Sequence, residues 1–153
     1  MKQALKGYMT SLPIYGSRFP HRVQNILLSD YCKRFGYTYV FGVVEVSIHS
    51  SHHVLMSLLQ DNSFDGLLFF SVAMLPQSSD IRHAVYEILN RGKSIHFCLE
   101  QLSVYSRSDI CNIEDMLQVR CALSKAPFQG QYNYEEITTS GFLDYLGIQA
   151  DSY

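Results

Sequence analysis

The sequence predicts a three-layer α/β fold in which helices flank a mostly parallel sheet of four to five strands. Short β-rich segments alternate with amphipathic helical patterns from near the amino end, which is the rhythm of βαβ units. One of these segments, Leu67–Phe70, is continuously apolar, as expected for a central strand covered on both faces. The chain has 153 residues, of which 47% are apolar. We therefore predict one domain over the whole chain, with its core at about residues 6–124.

The first strand is predicted at Lys6–Ser11, and a loop joins it to the first helix. That helix begins at Pro20 and ends at Gly36, because proline suits a first helical turn and glycine a carboxyl cap. Helical spacing predicts that it packs on the sheet through one apolar stripe. The stripe comprises Val23, Ile26, Leu27 and Tyr31.

A second strand is predicted at Tyr37–Val46, and a second helix follows it. Ser50 or Ser51 is suited to cap this helix, because a serine hydroxyl accepts a hydrogen bond from a first-turn N–H group. Apolar residues at helical spacing predict the buried face. They form the pairs Val54/Leu55 and Leu58/Leu59.

The second half of the chain continues the alternation. A third helix is predicted at Ser79–Asn90, a fourth strand at Ser94–Leu99 and a fourth helix from Ser108 to about Leu123. The tail after Pro127 is rich in loop residues, with a short helix predicted near residues 139–146. The residues expected to face inward are Ile81, Ala84, Val85, Ile88 and Leu89 in the third helix and Ile110, Ile113, Met116 and Leu117 in the fourth.

Charge and hydropathy exclude several classes of protein. The net charge is −2, and the 12 basic residues are scattered, which argues against nucleic acid as a partner. No apolar run approaches the ~20 residues that span a bilayer, so we expect no membrane insertion. The amino end lacks the apolar segment of a signal peptide, and we expect a cytoplasmic protein. The four cysteines form no CxxC motif and are expected to be reduced and mostly buried.

Polar residues follow the carboxyl ends of the predicted strands, where open parallel sheets bind ligands. Arg18 precedes a helix amino end, and a forked cation beside unpaired N–H groups is suited to phosphate or carboxylate. Gln24 and Asn25 are suited to hydrogen-bond either a ligand or the neighbouring loop. The residues at the strand ends are Ser11 and Arg18 after the first strand, Glu45 after the second, Ser71 after the third and Glu100 after the fourth.

Histidines suggest two metal-binding patterns, and both have structural alternatives. His96, Cys98 and Glu100 alternate along a strand and so share one face, but such a face beneath a helix more often packs than coordinates. A second group, His49, His52 and His53, lies in one loop. The sequence leaves these alternatives open, and we assign no metal. Because no P-loop, dinucleotide fingerprint or G-x-S-x-G motif is present, we also assign no cofactor.

Two stretches, Gly7–Ser11 and Asp65–Ser71, together with Gln24-Asn25 through Tyr31-Cys32 and Glu45 between them, resemble the catalytic domain of serine recombinases (resolvases and invertases). The resemblance implies a resolvase-like fold and pairing of two copies through the fourth helix. The family's first strand carries Tyr-x-Arg-x-Ser, and its third strand leads into Asp-Arg-Leu-x-Arg. The catalytic positions of these motifs fall here on Thr10, Leu12, Ala73, Met74 and Gln77. The resemblance therefore implies the fold without strand exchange.

A second set of motifs resembles the sporadic carbohydrate cluster proteins over roughly residues 7–122. This resemblance implies a role in making an unusual surface sugar, but it does not specify a reaction. The motifs are Gly7-Tyr8, Ser11-x-Pro13, Gly16-x-Arg18-x-Pro20, Val23-Gln24-Asn25, Asp30-Tyr31-Cys32, Glu45, Asp65-Gly66, Ser71, Met74-Leu75-Pro76 and His96-Phe97-x-x-Glu100.

These observations together predict a protein of surface-polysaccharide or unusual-sugar biosynthesis that binds and processes an anionic sugar derivative, either a sugar phosphate or a sugar nucleotide. The alternative is a non-catalytic, resolvase-like subunit that partners a glycosyltransferase or sugar-modifying enzyme. In either case we expect a homodimer. The candidate catalytic residues are Glu45, Glu100 and Ser11, and the candidate ligand-binding residues are Arg18, Gln24, Asn25 and Ser71.

Overall fold

A computed structural model describes residues 2–46 and 52–125. The strands are β1 (Ala4–Thr10), β2 (Thr38–Glu45), β3 (Gly66–Phe69), β4 (Ser94–Phe97) and β5 (Leu102–Val104). The α-helices are α1 (His21–Phe35), α2 (His53–Gln60), α3 (Ser79–Tyr86) and α4 (Arg107–Lys125), and short 3₁₀ segments cover Val72–Met74 and Glu87–Arg91. The predicted alternation of strands and helices is confirmed. The short strand β5 was not assigned from the sequence.

The five strands form one sheet in the order β2-β1-β3-β4-β5. The first four strands are parallel, and β5 pairs antiparallel with β4. Because β1 lies between β2 and β3, the direction of winding changes at this point. Right-handed crossovers then place α1 on one face of the sheet and α2 and α3 on the other. The sheet is thus mostly parallel and flanked by helices, as the sequence predicted.

The central strand β3 is buried on both faces, because Leu67, Leu68 and Phe69 have no exposed surface. Three aromatic rings form a row across the carboxyl half of the sheet. The centroid of Phe69 lies 5.3 Å from that of Tyr8 on β1 and 5.6 Å from that of Phe97 on β4. This row packs the three strand ends against one another, and it positions the loops that follow them.

Helix α1 buries a different stripe from the predicted one. Its buried residues are Gln24, Leu28, Tyr31 and Cys32, whereas Val23, Ile26 and Leu27 are 41%, 55% and 36% exposed. The prediction was therefore right for Tyr31 and wrong for the other three. The reason is that the Gln24 amide finds main-chain hydrogen-bond partners, which makes its burial favourable and sets the rotation of the helix.

Helix α2 buries Leu55, Leu58 and Leu59 as predicted, and Val54 packs against the same core. The suggested caps, Ser50 and Ser51, lie outside the described residues. Within the described residues, the side chain of Glu45 on β2 caps the helix by accepting hydrogen bonds from the N–H groups of Val54 and Leu55.

The third and fourth helices are joined by side-chain contacts. Helix α3 continues into a 3₁₀ segment that ends at Gly92, whose φ of 75° is the left-handed value that favours glycine. Glu114 of α4 accepts hydrogen bonds from Arg82 at 3.0 Å and from the Tyr86 hydroxyl at 2.6 Å. Ile113 is buried on α4, but Met116 is 40% exposed, so its predicted inward orientation was wrong.

The chain divides into two compact units, Met1–Arg120 and Cys121–Tyr153. Only the first five residues of the second unit are described, so the predicted helix near residues 139–146 lies outside the described part. The prediction of one domain over the whole chain stays a prediction. Among the helices of the described residues, none combines the length and apolar character that crossing a bilayer requires.

Candidate functional site

A cleft of about 280 Å³ lies at the carboxyl ends of β1, β2 and β3. This is the point where the strand order changes direction, which is the usual place for a ligand in an open α/β sheet. One wall is apolar and consists of residues 12–14 after β1 and residues 73–76 after β3. The polar side chains that line the cleft are Tyr8, Thr10, Glu45, His52, Gln77 and Arg120.

Glu45 is the predicted site residue that the structure places in this cleft. It is 4% exposed, and its Oε2 atom accepts hydrogen bonds from the Tyr8 hydroxyl at 3.2 Å and the backbone N–H groups of Val54 and Leu55 at 3.0 and 3.1 Å. Burial and the adjacent carboxylate raise the pKa of Tyr8, which keeps its phenol a neutral donor. The Oε1 atom of Glu45 has no hydrogen-bond partner among the described residues.

Two basic side chains also line the cleft. His52 immediately precedes α2, and its Nδ1 atom is buried without a hydrogen-bond partner in the described ranges. The guanidinium carbon of Arg120 lies 4.8 Å from the centroid of the Tyr15 ring. Within residues 2–46 and 52–125, no carboxylate is at ion-pair distance from Arg120.

Ser71 and Glu100 form a second polar group, and it supports the cleft wall. Glu100 Oε1 accepts from the Ser71 hydroxyl at 2.6 Å and from the Tyr15 hydroxyl at 2.8 Å, while Oε2 accepts from the Val72 N–H group at 3.1 Å. Ser71 Oγ accepts in turn from the N–H group of Ala73 at 3.1 Å. These bonds fix the loop after β3. Neither Ser71 nor Glu100 lines the cleft, so the predicted meeting of all strand-end residues at one site is not observed.

Gln24 and Asn25 hydrogen-bond neighbouring parts of the chain, which is the structural alternative left open by the sequence. Gln24 Nε2 donates to the carbonyl oxygens of Thr10 and Phe19, both at 2.8 Å, and Oε1 accepts from the Thr10 N–H group at 3.2 Å. Asn25 Oδ1 accepts from the Tyr39 hydroxyl at 2.6 Å, and burial raises the pKa of Tyr39 to about 12. Gln24 therefore positions the chain between β1 and α1, and Asn25 links α1 to β2.

Ser11 and Arg18 lie outside the cleft lining. The Ser11 hydroxyl is 3.1 Å from Nε2 of His21, the first residue of α1. Sequence reasoning missed this histidine, although its place next to Pro20 at the predicted helix start was a usable signal. Arg18 is exposed, and its side chain makes no hydrogen bond or ion pair with any described residue.

Among the described residues, the structure does not group the side chains of His96, Cys98 and Glu100 into a metal site. His96 is fully buried, with Nδ1 at 2.9 Å from Ser103 Oγ and Nε2 at 2.8 Å from Ser94 Oγ, and burial lowers its pKa to about 4. Cys98 contacts the Leu27 carbonyl oxygen at 3.5 Å, and burial raises its pKa to about 11. In the part of the chain that is described, no three His, Cys, Asp or Glu side chains are grouped closely enough to share a metal ion. His49 lies outside that part.

The cysteines divide evenly between buried and exposed positions. Cys32 and Cys98 are buried, and Cys111 and Cys121 are exposed. The prediction of mostly buried thiols therefore applies to only half of them. Burial also raises the pKa of Cys32, to about 12, which keeps this thiol protonated and unreactive at neutral pH.

The fold is similar to that of the N-terminal catalytic domain of TP901-1 integrase. The two structures align with a TM-score of 0.51 and 13% sequence identity, over 80% of this chain and 99% of that domain. The similarity shows that this chain has a resolvase-like fold. No protein-family model matches the chain, and no curated protein is significantly similar to it.

The cleft occupies the positions onto which the recombinase motifs were mapped. All five of these positions line it: Thr10, Leu12, Ala73, Met74 and Gln77. In this chain they supply a hydroxyl, three apolar side chains and an amide. The cationic group and the carboxylate of the cleft come instead from Arg120 and Glu45. The site is therefore in the expected place for the fold but carries different chemistry.

Proposed function

We propose that this chain binds an anionic sugar derivative in the cleft and acts in the biosynthesis of a surface polysaccharide or an unusual sugar. The observation that carries the proposal is the combination of Arg120, which has no carboxylate partner among the described residues, with Glu45 in one small cleft. A guanidinium group suits a phosphate or carboxylate, and a carboxylate oxygen suits sugar hydroxyls. The apolar wall suits the C–H face of a sugar ring.

The resemblance to sporadic carbohydrate cluster proteins supports the same proposal. Several motifs of that resemblance build the cleft or its supports: Glu45 is part of the lining, and the Met74-Leu75-Pro76 motif forms part of the apolar wall. Ser71 and Glu100 hold that wall in place. Part of the resemblance thus falls on residues that shape one site.

Within this proposal, Glu45 is the best-placed catalytic candidate. Its Oε2 atom is engaged by three donors, so Oε1 is the atom suited to accept a proton from a ligand hydroxyl. Ser11 and His21 form a hydroxyl–imidazole pair of the kind that activates a serine, although they lie outside the cleft lining. Arg18 remains a proposed second contact for an anion.

The test is calorimetric binding of sugar phosphates and sugar nucleotides to the parent and to Arg120→Gln. We expect the substitution to weaken binding by about tenfold or more, because a hydrogen bond to a charged group contributes about 1.5–3 kcal/mol. Arg107→Gln is the matched control, since Arg107 lies on the same helix, is exposed and pairs with Glu87 at 3.1 Å. Arg18→Ala tests the second contact separately. Equal affinity of the parent and Arg120→Gln would refute the anion site.

A second candidate function is that of a non-catalytic subunit, and the outer face of α1 favours it. Val23, Ile26 and Leu27 form an exposed apolar stripe on this helix. Such stripes are typical of surfaces that contact another protein. Here we expect co-purification with a glycosyltransferase or sugar-modifying enzyme, loss of that complex in Ile26→Glu, and no binding in the ligand screen.

A further inference from the structure

The buried Nδ1 atom of His52 is the most informative polar atom of the cleft. It has almost no accessible surface and no hydrogen-bond partner among the described residues, and the side chain lines the cleft. Buried polar atoms of folded proteins nearly always have a partner, because an unpaired one has lost its bonds to water. An atom this enclosed can meet a ligand only if the imidazole ring turns, and turning it toward the cleft would give the atom the partner that it lacks.

The start of α2 holds this histidine in place. His52 has the left-handed backbone angles φ 45° and ψ 39°, which are uncommon for a residue other than glycine. Its carbonyl oxygen accepts the first helical hydrogen bond, from the Met56 N–H group at 2.9 Å. Glu45 accepts hydrogen bonds from two other N–H groups of the same turn, those of Val54 and Leu55. The backbone of His52 and the Glu45 carboxylate are thus both held at one helix end, and no hydrogen bond from Nδ1 to a described residue opposes rotation of the imidazole ring.

The size of the cleft limits what it can hold. Ligand pockets of proteins usually measure about 300–1,000 Å³, and this cleft measures about 280 Å³. That is suited to one sugar ring with one anionic group. A nucleotide with an attached sugar has a base, a ribose and a second ring, and most of it would lie outside the cleft.

We infer that the cleft takes a monosaccharide phosphate and that the His52 ring turns on binding, so that its Nδ1 atom accepts a hydrogen bond from one of the sugar-ring hydroxyls. This inference rests on the proposed function and narrows its ligand class. A neutral imidazole with its proton on Nε2 offers Nδ1 as an acceptor, and a hydroxyl is the matching donor. A ligand without that hydroxyl would leave Nδ1 unpaired, which makes His52 a specificity-determining residue.

The experiment compares three probes by calorimetry: a panel of hexose 1-phosphates, inorganic phosphate and a uridine diphosphate hexose. His52→Phe keeps a ring of similar shape and removes the acceptor. His53→Phe is the matched control, because His53 is the exposed neighbour and does not line the cleft. We expect one hexose 1-phosphate to bind the parent best. His52→Phe should weaken that binding by about tenfold, a loss typical of an unmatched polar contact, and leave inorganic phosphate binding and the His53→Phe control unchanged.

The outcomes separate this inference from the function on which it rests. If the parent binds none of the probes, the proposed function fails, and this inference fails with it. If Arg120-dependent binding persists and His52→Phe binds hexose phosphate as well as the parent does, only this inference is wrong. Tighter binding of the uridine diphosphate hexose would overturn the size argument. If His52→Phe does not fold, NMR of the imidazole nitrogens of the parent provides the test. An unchanged His52 Nδ1 resonance at saturating hexose phosphate would overturn the inference.

Discussion

Acidification should destabilise this protein through one buried histidine. His96 is fully buried, and its nitrogens lie near hydroxyls of Ser94 and Ser103 that suit a neutral imidazole. Burial lowers its pKa from 6.5 to about 4. Between these two values the unfolded chain binds a proton that the folded chain does not bind. The contribution to stability is therefore complete above pH 6.5 and is lost as the pH falls towards 4.

The size of the effect follows from the two pKa values. A shift from 6.5 to about 4 corresponds to roughly 3 kcal/mol in full, of which about 2 kcal/mol is lost by pH 5. Because His96 has no exposed surface, solvent does not screen this contribution. Hydrogen bonds lower the pKa of the Asp109 carboxyl. Burial acts to raise the pKa of Glu114, but hydrogen bonds from Arg82 and Tyr86 outweigh it and lower that pKa, so neither shift moves a carboxyl into this range.

The assay is urea unfolding of the full chain at several pH values between 7.5 and 5, with the parent, His96→Gln and His83→Gln. The parent and the exposed-site control His83→Gln should lose about 2 kcal/mol over this range. His96→Gln should be less stable at pH 7.5 but nearly independent of pH, because it has no titrating group at this position. The reasoning is refuted if His96→Gln retains the pH dependence of the parent.

Three further predictions follow from the contacts described above. Gln24→Leu should lower the free energy of unfolding by about 2–4 kcal/mol in urea titrations, because it leaves main-chain groups of Thr10 and Phe19 buried and unpaired. Glu45→Gln should lower it by about 1–2 kcal/mol in the same assay, because the α2 amino end loses a charged acceptor. Light scattering should find a dimer that Val119→Glu converts to monomer, since Val119 is 60% exposed on α4.

Each of these predictions has a control and a contrary result. Ile26→Gln on the exposed face of α1 should change the free energy of unfolding by less than about 0.5 kcal/mol. If it lowers that free energy more than Gln24→Leu does, the buried stripe of α1 is the one predicted from the sequence. Glu87→Gln, at an exposed carboxylate, should have little effect, and equal stability of Glu45→Gln and the parent would argue against the cap. If light scattering finds the parent monomeric at high concentration, the prediction of a dimer is wrong.

The sequence predicted the order of the elements well because hydrophobic periodicity reports burial directly. The apolar run of β3 and the leucines of α2 are examples, and both are buried as expected. The rotation of α1 was not predictable in this way, because a buried Gln24 looks polar until its main-chain partners are known. Strand β5 has three residues and gains its pairing only from β4, so no local pattern marked it.

The candidate site was predictable only in part. Glu45 was identified from its place at a strand end, and it does line the cleft. Ser71 and Glu100 also follow strand ends, but their side chains hydrogen-bond to each other. This orientation depends on the path of the loop after β3. Arg120 lies on α4, which follows the last strand in the sequence, and only the tertiary structure brings it to the cleft.

Because Glu45 both caps α2 and lines the cleft, ligand binding in the cleft should be detectable at the backbone of this helix. One carboxylate oxygen holds the N–H groups of Val54 and Leu55, and the other is the atom proposed to meet a ligand. A ligand that orders this carboxylate would also reduce transient opening of the first turn of α2. Hydrogen–deuterium exchange at these two amides would then slow on binding. They are built-in reporters of occupancy, and they allow ligands to be screened without knowledge of the reaction.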